Sequence, residues 1–260
     1  MLIGQCANSY TDSYDMLKEV KKAGADFIEV RGFTIEGYEI AKVKEIKDQL
    51  IELNMPALAS NCIMPGSINF FDDHNTIQSY LHRLFERLAI LGVKTQVVGS
   101  GKARNIPDGV SYDDHLKRFA EVMQKTFIPL CKEYDITLCI ESLNKKETNF
   151  INTVKEGVEL AKFINSPYVA AHIDSYHMGL ENEPFESLEN YKGICKHVHI
   201  AATNSSRAFP SLNDGIDWKH IIDCIKKSGC TDKLSLEATA KNAEPWAEIK
   251  EAIDLLRPLV

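Results

Sequence analysis

Four side chains stand where apolar runs end: Glu141 after "TLCI", Asp174 at the end of "VAAHID", His199 within "HVHIA" and Glu237 after "LSL". A carboxylate leaving such a run is costly to bury unless something pairs with it. Three carboxylates beside one imidazole would repel one another unless a cation joined them. Each residue alone could be a helix cap or a satisfied core group. All four at corresponding positions point to one divalent ion. Three oxygen ligands and one nitrogen make a hard-to-borderline set, so Mn²⁺ is the expected ion, ahead of Mg²⁺, Co²⁺ or Zn²⁺. Such an ion beside carboxylates does Lewis-acid and proton-transfer chemistry.

Something must carry these groups to one place. Eight short apolar runs recur along the chain: "LIGQC", "FIEV", "ALASNC", "TQVVGS", "TLCIES", "VAAHID", "HVHIA" and "LSLEA". They read as strands of a parallel sheet covered on both faces. Helical stripes lie between them: Leu81, Leu84, Leu88 and Leu91 before Gly92; Leu116, Phe119, Met123 and Phe127; Trp246, Ile249, Ile253 and Leu256. Asp12 and Ser13 are expected to open the first helix and Gly24 to close it. Strands recur roughly every 25–40 residues, the length of a βα unit. Eight units predict a (β/α)₈ barrel, an α/β fold, with residues 1–260 as one domain. "GQCANSY" after the first strand is no Gly-rich dinucleotide loop, which argues against an open doubly wound sheet. In a barrel, the carboxyl ends of the strands build the active site.

Bulk properties narrow the partners. A formal charge of -7 offers no general attraction to nucleic acid, so none is expected as a partner. No apolar run is long enough for a membrane span, and the first residues do not read as a signal peptide. The 7 cysteines lack C-x-x-C spacing and read as reduced thiols of a cytoplasmic protein.

The pattern Glu141-x-x-Asn144, Asp174-x-x-His177, His197-x-His199 and Glu237 resembles the xylose isomerase-like sugar isomerase and epimerase family, ketose 3-epimerases and hydroxypyruvate isomerases in particular. The resemblance spans nearly the whole chain, with its specific motifs in the second half. It implies one metal ion on Glu141, Asp174, His199 and Glu237, with Glu141 and Glu237 also moving protons. It implies substrate contacts from Asn144, Glu147 and His177, and a homodimer or homotetramer. The epimerase arginine falls at Ser205 here, and Arg207 is the nearest arginine. "VVGSGKARNIPDG" is unlike the epimerases.

The chemistry these groups permit is removal of an acidic C–H beside a carbonyl. An enediolate held by the ion would be reprotonated on the other face or at the next carbon. A ketose or related hydroxy-carbonyl compound is the expected substrate. Hydride shift generally wants a second metal, and no second ligand set is visible. Gly99-Ser100-Gly101 with Lys102 and Arg104 reads either as an anion-docking loop or as a plain βα loop with a turn at Pro107-Asp108-Gly109. Cys62 reads as a lining residue of the rim. Glu29 and Arg31 either line the pocket or pair with each other, and His197 reads either as an inner-barrel partner or as a group that supports a metal ligand from behind. Trp218 and Phe209 either wall the substrate or simply pack.

Three rivals stand beside this reading. A dehydratase of a keto-inositol or dehydroshikimate type substrate would share the metal and the glutamates but expel water. An endonuclease IV-like nuclease would need more histidines at earlier strand ends, where this chain has "SNC" and "GSG". A non-catalytic sugar-binding barrel would not need both Glu141 and Glu237.

Overall fold

The apolar runs form eight parallel strands that pair in sequence order and close into a barrel, in a computed structural model describing residues 1–8, 13–230 and 232–260. The strands are β1 (Leu2–Cys6), β2 (Phe27–Arg31), β3 (Ala57–Asn61) and β4 (Thr95–Val98), then β5 (Thr137–Ile140), β6 (Val169–Asp174), β7 (Cys195–Ile200) and β8 (Lys233–Leu236). The helices of the first half are α1 (Tyr14–Lys22), α2 (Gly32–Glu36), α3 (Ile40–Glu52), α4 (His74–Leu91) and α5 (Tyr112–Val122). Those of the second are α6 (Ile128–Tyr134), α7 (Val154–Ile164), α8 (Ser175–Leu180), α9 (Trp218–Lys227) and α10 (Trp246–Leu256). Among the described residues, no helix is long and apolar enough to cross a membrane.

Local signals start and stop these elements as expected. Ser13 caps α1 by accepting from the Met16 N–H, and Gly24 follows the helix in the left-handed region at φ +106. Asp12, expected beside Ser13, lies outside the described residues. Gly92 ends α4 at φ +91, a conformation that favours glycine. The stripe from Leu116 to Phe127 is less regular than its spacing suggests. α5 passes into a π-helical turn over Met123–Phe127 before α6, whose Pro129 has no N–H with which to continue the ladder.

Successive residues of a strand point to opposite faces, and here the two faces differ in kind. Ile28, Val30, Ile173, Val198, Ile200, Leu234 and Leu236 join the apolar core shared with the helices. Their neighbours Glu29, His172, His197, His199 and Ser235 turn into the barrel and are fully buried. Near-continuous apolar strands were expected; the barrel interior is instead polar where it underlies the rim. Gly4 and Phe27 fill another part of it, because a Cβ on Gly4 would lie 2.4 Å from the Phe27 ring.

For Arg104, the loop after β4 favours the second of its two readings. Arg104 docks no external anion. It is fully buried, and its Nη1 and Nη2 donate to the carbonyls of Val98 and Glu141 at 3.0 and 2.6 Å. Lys102 is exposed on the short 3₁₀ turn Gly101–Arg104 and does not line the rim cavity. Gly99 and Gly101 line the rim cavity and also make room for protein. A Cβ on Gly99 would fall 2.2 Å from Glu141 Oε2, and one on Gly101 would fall 2.8 Å from the Glu147 carbonyl. The expected turn is present, with Val110 N donating to Pro107 O and Gly109 at φ +78.

Arg104 therefore ties β4 to the start of the loop after β5. Arg104→Met keeps the length of the side chain but removes two bonds from a charged donor, each worth about 1.5–3 kcal/mol, while Val98 O keeps the Glu141 N–H. The variant is expected to lose about 2–4 kcal/mol of unfolding free energy in urea. A loss below about 0.5 kcal/mol, the scale of a neutral surface change, would contradict the buttress.

Candidate metal centre and substrate cavity

β5 to β8 deliver four groups to one rim. Asp174 ends β6 and pairs in register with His199 of β7. Glu141 and Glu237 each stand one residue past their strands, with N–H groups donating to Val98 O and Ile200 O. One ligand-capable atom from each of Glu141, Asp174, His199 and Glu237 lies within 4.8 Å of the others. The centre of this set is His199 Nδ1, 3.3 Å from Glu141 Oε1, 3.8 Å from Asp174 Oδ2 and 3.1 Å from Glu237 Oε2. All four expected ligands are thus brought together.

Their surroundings decide how much charge is left unpaired. Asp174 Oδ1 is occupied by the N–H groups of Tyr176 and His177 at the start of α8, so Oδ2 is the oxygen that faces the cluster. Glu237 Oε1 accepts from Asn61 Nδ2 at 3.2 Å, and its Oε2 pairs with Arg207 Nη2. Burial works against ionising Glu237, but His199 and Arg207 outweigh it and hold the carboxyl at about 2. Glu141 is pushed above the usual carboxylate range, by burial first and then by Glu237 and Asp174, against a bond from His199. Burial alone would depress His199, yet Glu29 and Glu237 raise it well above the usual imidazole range. The cluster gathers more negative charge than its protein partners neutralise. A dication fits that deficit, and the donors suit Mn²⁺, Mg²⁺ or Co²⁺.

A cavity of about 290 Å³ opens over this cluster, lined by Glu141 and Glu237 together with Cys62, Glu147, His177 and Arg207. His177 is poised by its neighbours. Its Nδ1 accepts from both the backbone N–H and the side-chain amide of Asn144, at 3.0 and 2.9 Å. The ring proton therefore sits on Nε2, which is buried and has no partner among the described residues. Asn144 Nδ2 also donates to Glu147 Oε1 at 2.8 Å. Asn144 itself does not line the cavity, a correction to its expected substrate contact; it acts by orienting His177 and Glu147. Arg207 lies over the Tyr176 ring at 4.7 Å, in a left-handed backbone conformation at φ +47.

Other expectations resolve by position. Cys62 does line the cavity, but burial first, then Glu237 and Glu141, push its thiol up to about 12, which leaves no thiolate for nucleophilic work. Phe209 and Trp218 are packing residues away from the cavity, Trp218 donating Nε1–H to Asp214 at 2.9 Å. The apolar wall is Phe33, Met64 and Leu143, which no spacing singled out. Glu29 and Arg31 do not pair with each other. Arg31 donates to Ala7 O and Asn8 Oδ1, whereas Glu29 binds His197 and His199 inside the barrel. A charged residue in the middle of "FIEV" was the available signal for that role. A larger cavity of about 340 Å³ lies between α1, β2 and α3 and holds none of the candidate ligands.

Comparison with known proteins agrees with this architecture. The family model described as a xylose isomerase-like TIM barrel matches residues 17–259. The D-psicose 3-epimerase of Agrobacterium fabrum is 23% identical over 254 residues, 93% of this chain and 86% of that protein. A crystal structure of D-psicose 3-epimerase in the presence of D-fructose superposes with a TM-score of 0.85 at 19% identity, over 100% of this chain and 99% of that one. An AP endonuclease of family 2 from Brucella melitensis superposes at 0.79 with 17% identity, over 99% of each chain. Structural likeness at such identity establishes the fold alone, and the family follows from the sequence match. With eight strands closed in order and a matching model over nearly its whole length, the chain belongs to the xylose isomerase-like TIM barrel family.

Proposed function

We propose that the chain is a divalent-metal-dependent isomerase of the sugar epimerase kind, acting on a ketose or a related hydroxy-carbonyl compound by proton transfer. The observation that carries this reading is the placement of two glutamates, buried Glu141 and half-buried Glu237, 3.3 and 3.1 Å from the same imidazole nitrogen and both on the cavity wall. The named epimerases among its relatives support it.

Glu141, Asp174, His199 and Glu237 hold the ion in this reading, with Mn²⁺ the first choice. When bound, it supplies a Lewis acid for the oxygen that gains charge as the neighbouring C–H proton leaves. Glu237, kept ionised by His199 and Arg207, takes that proton, and the C–H electron pair moves into the enediolate. Glu141 returns a proton to the opposite face of the same carbon, which epimerises it, or to the adjacent carbon, which isomerises the sugar. His177 Nε2–H and Glu147 offer one donor and one acceptor to the substrate hydroxyls. Phe33, Met64 and Leu143 keep bulk water from that side of the cavity. All seven cysteines are free, which supports a reducing, cytoplasmic setting.

The reading is tested with the Mn²⁺-loaded protein and a panel of ketoses, keto-inositols and sugar phosphates in D₂O. Deuterium is expected at a carbon next to a carbonyl in at least one of them, with product mass otherwise unchanged. Loss of 18 daltons would move the assignment to a dehydratase, and no incorporation anywhere would reject proton transfer. Glu237→Gln is expected to keep most of the metal while exchange falls by about 10²–10⁴-fold; an unchanged rate would remove Glu237 as the base. Chelation should abolish exchange and Mn²⁺ restore it, and activity that survives chelation would argue against the ion. Gly99→Ala drives a methyl against Glu141 Oε2, so its Mn²⁺ dissociation constant is expected to rise at least about tenfold by calorimetric titration. An unaltered constant would show that Glu141 is not a ligand.

A further inference from the structure

Below the four candidate ligands lies a carboxylate that the proposed reaction does not use. Glu29 is fully buried on β2, paired in register with Cys6 of β1. Its Oε1 is 2.9 Å from His199 Nε2. Its Oε2 is 2.6 Å from His197 Nε2 and accepts from Ser235 Oγ, also at 2.6 Å. Barrel interiors of this fold are usually filled by branched apolar residues, and a buried carboxylate costs stability unless its bonds are complete. Packing alone therefore does not explain a glutamate here.

The explanation lies in what surrounds His199. Its Nδ1 faces three carboxylates, from Glu141, Asp174 and Glu237. A neutral imidazole has one N–H to place, and three acceptors on one side draw it to Nδ1. A proton there blocks the lone pair that a metal ion needs. The only strong competing acceptor at Nε2 among the described residues is Glu29; the Cys6 sulfur, at 3.8 Å, is a weak one. His197 and Ser235, from β7 and β8, fix the Glu29 carboxylate so that Oε1 stays under His199.

We propose that Glu29 is a positioning residue that holds His199 as its Nε2–H tautomer, leaving the Nδ1 lone pair for the metal ion. The inference rests on the metal reading above. It differs from that reading in what it predicts for a residue that touches neither ion nor substrate.

Two measurements test it. The first is the Mn²⁺ dissociation constant of folded wild type, Glu29→Gln and Glu29→Met, read from the free-Mn²⁺ paramagnetic resonance signal. Glu29→Met offers no acceptor and is expected to weaken binding about 10–100-fold, the range for losing the partner of a ligating histidine. Glu29→Gln keeps an oxygen at the site and is expected to fall between it and wild type. The second is the nitrogen-15 spectrum of the histidines in metal-free wild type, at a pH high enough to leave His199 neutral, where His199 should show a protonated Nε2 and a bare Nδ1. That spectrum needs no variant, so it decides the matter even if Glu29→Met fails to fold. Unchanged Mn²⁺ affinity in folded Glu29→Met, or a His199 proton on Nδ1, overturns the assignment while leaving the metal reading intact. Wild type that binds no ion overturns both.

Discussion

Three carboxylates converge on one imidazole nitrogen, and much of the rim exists to hold them there. Left to themselves Glu141, Asp174 and Glu237 would move apart, since like charges this close in a buried site repel strongly. The barrel prevents it by mounting each on a different strand, where backbone pairing fixes its origin. What the strands impose geometrically, cations must make tolerable. Arg207 supplies one positive charge, to Glu237 and more distantly to Asp174. The remainder is the space in which a divalent ion makes chemical sense.

The supports around this cluster are as specific as its members. Arg104 grips the Glu141 carbonyl from behind, and Gly99 leaves its carboxylate room in front. Asp174 is held by two backbone N–H groups through one oxygen, so the other has a fixed direction. Asn144 locks the tautomer of His177 on the substrate side, as Glu29 does for His199 beneath the metal position. The same device, an obligate partner on one ring nitrogen that decides the state of the other, is used twice in one site. Preorganisation of this sort fixes the polar groups of a small cavity before any ligand arrives.

Arg207 is where the sequence resemblance breaks, since an arginine was expected at Ser205. Its side chain comes from two residues further along the loop and enters at a positive φ, which a non-glycine residue adopts only when its surroundings hold it there. Tyr176 lies under the guanidinium and Glu237 in front of it. The arginine is thereby committed to Glu237, which sets it apart from a free anion anchor.

The barrel and the four candidate ligands were legible in the order of residues alone. Strand runs, helical stripes and caps are local signals, and a charge at the end of an apolar run is visible without coordinates. The same local view left Arg104 and Lys102 between two readings, because glycines beside basic residues look alike whether they cradle an anion or make room for a neighbouring side chain. It also missed the histidine partners of Glu29, and overlooked Asn61 and the wall of Phe33, Met64 and Leu143, whose roles come from residues distant in sequence. Sequence determined which groups arrive at the carboxyl ends of the strands, since period and position are written along the chain. Only the closed barrel decided which of them face one another, because its curvature brings β2 beneath β7 and folds the loop after β4 against β5.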